Sequence, residues 1–153
     1  MTQEKYNSAL AAAESLADLP EDELLRELGQ RIEATEKLSD GQVKAQEFNP
    51  GFPDTSSQQG WDFFKDVGKR WYAKIETELM RFICDKNNPD RNMLTSGKTV
   101  PQIAASLATA GIVAAIAAPP AWLIVATTIL ASKLAETSLD ALCEVYYERN
   151  PAK

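Results

Sequence analysis

The chain has 153 residues, 16 basic and 22 acidic side chains, a net charge of −6, 44% hydrophobic residues and no histidine. This is the composition of an ordinary globular domain long enough to bury a core, and it excludes low-complexity and collagen-like chains. The acidic balance excludes nucleic acid as a main partner, because phosphate neutralisation needs a basic surface.

The first predicted element is a helix over residues 2–17, with Tyr6, Ala9, Leu10, Ala13, Leu16 and Ala17 on one side at helical spacing. Asp18-Leu19-Pro20-Glu21 stops that helix and starts the next. Proline suits a first turn because its missing N–H would be unpaired there, and Glu21, Asp22 and Glu23 suit the positive end of the helix dipole. The second helix runs to about residue 39 on a stripe of Leu24, Leu25, Leu28, Ile32 and Leu38, with Gly41 as its C-terminal cap. Residues 1–40 hold ten acids and four bases, so all the excess negative charge lies on this helical pair. It reads as a solvated face, with Glu21, Asp22, Glu23 and Glu27 as the candidate dock for a protein partner.

Residues 42–59 form a linker rich in turn chemistry, including Asn49-Pro50-Gly51 and Pro53-Asp54, which Phe48 and Phe52 are placed to pin down. A third helix is predicted over about 58–86, with Ser56 and Gln59 as its capping box. Trp61, Phe64, Gly68, Trp71, Ile75, Leu79 and Phe82 line its stripe. The stripe reads as core, and Trp61 and Phe64 are its candidate partner contacts. Asp62, Lys65, Asp66 and Lys69 are spaced for pairing within the helix.

From residue 99 to 132 the chain carries no charge over 34 positions. Ser96-Gly97-Lys98-Thr99 has the ending of a phosphate-binding loop, but position 92 is Asn where that motif needs Gly, and no strand precedes it. Thr99 and Gln102 instead have capping-box spacing, which predicts a fourth helix over 100–117. Pro119-Pro120 breaks it. A fifth helix then runs from about 120 to 148, with Leu134, Ser138, Ala141, Leu142 and Val145 facing inward. Lys133, Glu136, Asp140, Glu144 and Glu148 make its polar stripe. Tyr146 and Tyr147 close it, as a C-terminal anchor or an aromatic contact patch.

An uncharged run of this length must lie in a protein core or in a bilayer. The fourth helix would be about 27 Å long and the apolar part of the fifth about 20 Å, both short of a hydrocarbon core of about 30 Å. Eleven of residues 101–132 are Ala, and Ala104, Ala108, Gly111, Ala115 and Ala118 form a small-residue stripe suited to close helix packing. The reading is therefore a buried hairpin, with membrane insertion as the alternative. That alternative resembles, in architecture only, the buried hydrophobic hairpin of pore-forming bacteriocin domains.

Cys84 and Cys143 show no CxxC spacing and sit on apolar helix faces, so they read as two buried free thiols, with a disulfide between them as the alternative. Without histidine the commonest general base and metal ligand is missing, so neither an enzyme, a cofactor nor a metal is expected. No signal peptide is evident, and a cytoplasmic location is the expectation, membrane association being the alternative. The expected fold is all-α, with about five helices. An acidic hairpin over 1–41 and the linker precede a helical core over 60–150, whose central apolar hairpin breaks at Pro119-Pro120. The expected function is that of a small non-enzymatic interaction or regulatory protein, binding a protein partner or a second copy of itself.

Overall fold

The computed structural model describes residues 2–36, 58–84, 99–113, 120–137 and 139–149. It is an all-α bundle. Among the described residues there are six helices: α1 (Thr2–Leu16), α2 (Glu21–Glu36), α3 (Gln58–Ile83), α4 (Val100–Val113), α5 (Pro120–Glu136) and α6 (Leu139–Arg149). The expected linker, with Phe48 and Phe52, lies outside them, as do Leu38, Gly41, Ser96-Gly97-Lys98, Ala115, Ala118 and Pro119. The side chains of Trp61, Phe82 and Ser138, and the surroundings of Gly111, also lie outside the described set.

The centre of the bundle is α5. Every residue from 121 to 131 is buried, and α1, α2, α3 and α4 all pack against this helix. A helix that is apolar all round needs such enclosure. Its hydroxyls are satisfied within the helix: Thr127 and Thr128 Oγ1 both donate to the Ile124 carbonyl, at 3.1 and 2.7 Å, and Ser132 Oγ donates to the Thr128 carbonyl at 3.1 Å. These three α5 hydroxyls therefore need no partner from the neighbouring helices, which leaves the surface of α5 to packing.

Helix α4 begins at the expected capping box. The Thr99 N–H donates to Gln102 Oε1 at 3.0 Å, and the Gln102 N–H donates to Thr99 Oγ1 at 3.4 Å. Helix α4 pairs with α5 on one side and α1 on the other. The buried face of α1 is Ala9, Ala12, Ala13 and Leu16, and that of α4 includes Ala104, Ala105 and Ala108. Small faces of this kind let helix axes approach closely.

The most extensive pairing joins α2 to α3. Its closeness has a local cause. A Cβ at Gly29 would stand 1.8 Å from the Phe64 carbonyl oxygen, and a Cβ at Gly68 would stand 1.9 Å from the Leu25 carbonyl oxygen. Each helix thus aims a carbonyl at the glycine one turn along the other, so the two backbones touch. Glycine inside a helix costs about 1 kcal/mol relative to Ala, and here that cost permits the crossing. Leu24, Leu25, Leu28 and Ile32 on α2, and Val67, Tyr72, Ile75, Leu79, Met80 and Ile83 on α3, join the common core. Trp71 stacks edge-on against Trp122 of α5, with ring centroids 5.2 Å apart.

Among the described residues, one charge enters this core. Arg31, only 3% exposed, donates from Nη1 to the Ala121 carbonyl at 3.1 Å and from Nη2 to Glu27 Oε1 at 3.4 Å. It thereby binds the start of α5 to α2. Burial lowers its pKa from the ordinary arginine value, and the Glu27 carboxylate works against that shift.

Two sequence expectations need correction. The expected single helix over 120–148 is two helices, with an angle of 115° between residues 121–136 and 140–149. Thr137 closes the last turn of α5 by donating to the Lys133 carbonyl from both N–H (3.0 Å) and Oγ1 (2.8 Å), and Thr137-Ser138 are cap-type residues ahead of Leu139. The bend rotates the final segment: Leu142 remains half-buried, while Ala141 and Val145, expected inside, are exposed. It also brings α6 back to the end of α3. Cys84 and Cys143, expected as free thiols, consequently form a disulfide, with Cα atoms 5.5 Å apart. Closing a loop of 59 residues removes unfolded-chain entropy worth about 4 kcal/mol.

Among the described residues no single helix is long and apolar enough to cross a membrane. Helices α5 and α6 meet that test of length and composition only together, as a bent pair.

Candidate functional site

The uncharged run ends at Lys133, in the last turn of α5, where the helix emerges from the enclosed centre. Three helices supply its surroundings. Lys133 Nζ donates to Glu76 Oε2 on α3 at 3.1 Å and lies 3.8 Å from Glu21 Oε1 at the start of α2. It also sits over the ring of Tyr72, 4.8 Å from the centroid. Two carboxylates and an aromatic face fix this ammonium as a positioned cation.

Burial, and then the negative charge of Glu76, push the Tyr72 hydroxyl well above the ordinary tyrosine range. This has a testable consequence. An unfolded tyrosine ionises near pH 10, whereas folded Tyr72 keeps its proton. Above that pH the unfolded state binds fewer protons, so stability falls as pH rises, by up to about 1.4 kcal/mol per unit from this group. Urea titrations between pH 9 and 11 should show a shallower alkaline loss for Tyr72→Phe than for the parent chain. Equal slopes would remove Tyr72 as the cause.

Lys133 stands between two clefts. One, of about 360 Å³, lies between the α1–α2 turn and α5, against Leu19, Pro20, Leu24 and Ile129. The other, of about 200 Å³, lies among α3, α5 and α6, with Met80, Leu130, Leu142 and Tyr146 as its apolar lining and Glu76 and Arg149 among its charged residues. Among the described residues, no group of three or more His, Cys, Asp or Glu side chains gathers to hold a metal ion.

Val145 and Arg149 of α6 border the second cleft. Asp140, Glu144 and Glu148 are exposed at successive four-residue steps, which puts them on one stripe of the helix. Beside them Val145 is 43% exposed. The result is an acidic stripe next to an apolar strip.

The structure disperses the residues singled out from sequence. Glu21 turns to Lys133, Asp22 pairs with Lys65 of α3 at 3.2 Å, and Glu27 pairs with Arg31. Three of the four candidate docking acids are thus engaged by the chain itself, and Lys65 reaches across to α2. Glu23 is half-buried. Phe64 is half-buried at the α2 crossing, while its neighbour Phe63 is 51% exposed, with ring centroids 5.5 Å apart. Tyr146 packs on the core, and the Tyr147 hydroxyl donates to the Cys84 carbonyl, so this pair works as an anchor for α6.

Gly29, Arg31 and the partnership of Lys133 with two acids emerge only from the structure. Signals for two of them exist: Arg31 lies three positions after Leu28 on the apolar stripe, and Lys133 is the first charge after the long uncharged run. No protein-family model, no curated protein and no solved structure matches this chain.

Proposed function

We propose that the protein is a non-enzymatic helical interaction module that binds a basic, amphipathic segment of a protein partner on the outer face of α6. The observation that carries this reading is the exposed stripe Asp140, Glu144 and Glu148 beside the apolar Val145 and Ala141. Carboxylates one helical turn apart match Lys or Arg at the same spacing on a docked helix, and the apolar strip gives that helix something to bury. The overall charge of −6 favours encounter with a basic partner. The disulfide adds preorganisation, because a helix already fixed costs little further ordering on binding.

The test uses a synthetic Lys/Leu amphipathic helical peptide, titrated at low and high salt. Binding should weaken with salt and be lost in Asp140→Asn/Glu144→Gln/Glu148→Gln. It should persist in Glu21→Gln/Asp22→Asn/Glu23→Gln. Equal binding by the first triple variant and the parent chain would overturn the assignment to α6.

A specific observation favours a second reading, membrane insertion of the apolar hairpin. The Thr127, Thr128 and Ser132 hydroxyls are bonded within α5, so these three side chains would bring no unmet hydrogen bond into lipid. Amide hydrogen exchange of residues 121–131 with and without anionic phospholipid vesicles separates the two.

A further inference from the structure

Helix α6 has the thinnest attachment of the six. It has 11 residues, below the length at which an isolated helix holds together in water, and its packing on the core comes from Leu142, Cys143 and Tyr146. A disulfide and a hydrogen bond supplement that packing, and both end on Cys84, the residue that follows α3. Cys143 is bonded to the Cys84 sulfur, and Tyr147, one turn further along α6, donates its hydroxyl to the Cys84 carbonyl. Met80 and Leu130, both almost fully enclosed, line the cleft beside Leu142 and Tyr146 of α6.

We infer that the Cys84–Cys143 disulfide is a thiol-operated latch that holds α6 on the bundle, with Tyr147 as its lid. Both cysteines are buried, so an attacking thiolate reaches them only after α6 frays and the Tyr147 hydrogen bond opens. A dithiol reductant then attacks one sulfur, forming a mixed disulfide and freeing one protein thiolate, which takes a proton. Its second thiol displaces the other protein sulfur, leaving two protein thiols and one oxidised dithiol, so two electrons and two protons have passed to the protein. Without the covalent tether, the non-covalent contacts of this short helix no longer suffice, and it detaches while α1–α5 stay assembled. The latch changes the geometry of the second cleft whichever partner that region takes.

Limited proteolysis by a glutamate-specific protease, with fragments identified by mass, tests this directly. In dithiothreitol, cleavage after Glu144 and Glu148 should accelerate at least tenfold over the oxidised chain, while Glu27 and Glu76 stay uncut. Cys143→Ser should behave like the reduced chain without any reductant. Tyr147→Phe should leave the oxidised chain folded yet speed the appearance of two alkylatable thiols several-fold. Unchanged cleavage in α6 after reduction would show that the disulfide does not hold this helix. Simultaneous cleavage at Glu27 and Glu76 would show a staple for the whole bundle, and would equally overturn a local latch. An unchanged reduction rate in Tyr147→Phe would remove Tyr147 as the lid.

Discussion

Gly68→Ala is expected to lower stability by about 3 kcal/mol, although alanine is the better helix former. The local preference favours the substitution by about 1 kcal/mol. Against it stands a new Cβ placed 1.9 Å from the Leu25 carbonyl oxygen, with the Gly29 nitrogen 3.3 Å away. Those neighbours are backbone, so no side chain can rotate aside, and α2 must move away from α3 along their whole contact. Overpacking typically costs about 1–3 kcal/mol, and a backbone-to-backbone clash lies at the upper end or above. In a domain of this size the net loss corresponds to a fall of about 6–12 °C in Tm. A raised or unchanged Tm would mean that helix propensity alone governs position 68 and that the crossing is not close. Gly29→Ala should behave alike, because its Cβ would meet the Phe64 carbonyl oxygen at 1.8 Å.

Leu123→Ala is the second large effect, an expected loss of about 3 kcal/mol in a urea titration. Leu123 is fully buried on α5, with packed helices all round. Truncation there removes apolar contact and leaves a cavity that the neighbours cannot collapse into, the combination that gives about 2–5 kcal/mol for Leu→Ala in cores. The comparison is Leu142→Ala on half-buried α6, expected to cost about 1 kcal/mol because solvent can fill the space. Equal losses at the two positions would contradict the placing of α5 at the centre.

Much of this architecture was legible in the sequence because it rests on local chemistry. The stripes of α1, α2 and α3 show helical spacing, the capping box at Thr99 and Gln102 is spelled out four residues long, and the charge-free run announces a buried element. The features that sequence reading missed depend on how distant segments meet. Gly29 looks like a helix blemish until Phe64 approaches it. Arg31 looks like a flank until Ala121 supplies a carbonyl. The bend at Thr137 was hidden because Leu134, Leu142 and Val145 also fit one continuous helix, and with that bend unseen Cys143 had no route to Cys84. The candidate site suffered most. Three of the four acids singled out on the second helix prove to be engaged internally, while Glu144 and Glu148 stand exposed on α6 beyond the bend.

Helix α5 is the enclosed centre of the bundle, and the packing of α1–α4 depends on it. Amide hydrogen exchange tests this most directly, read across the whole chain, alone and with anionic phospholipid vesicles, at pH 7 and pH 5. The expected result is that amides of residues 121–131 are the slowest in the molecule and exchange only through global unfolding, with vesicles making no difference. Faster exchange there than in α2 and α3, or protection of this segment that appears only when vesicles are added, would contradict it.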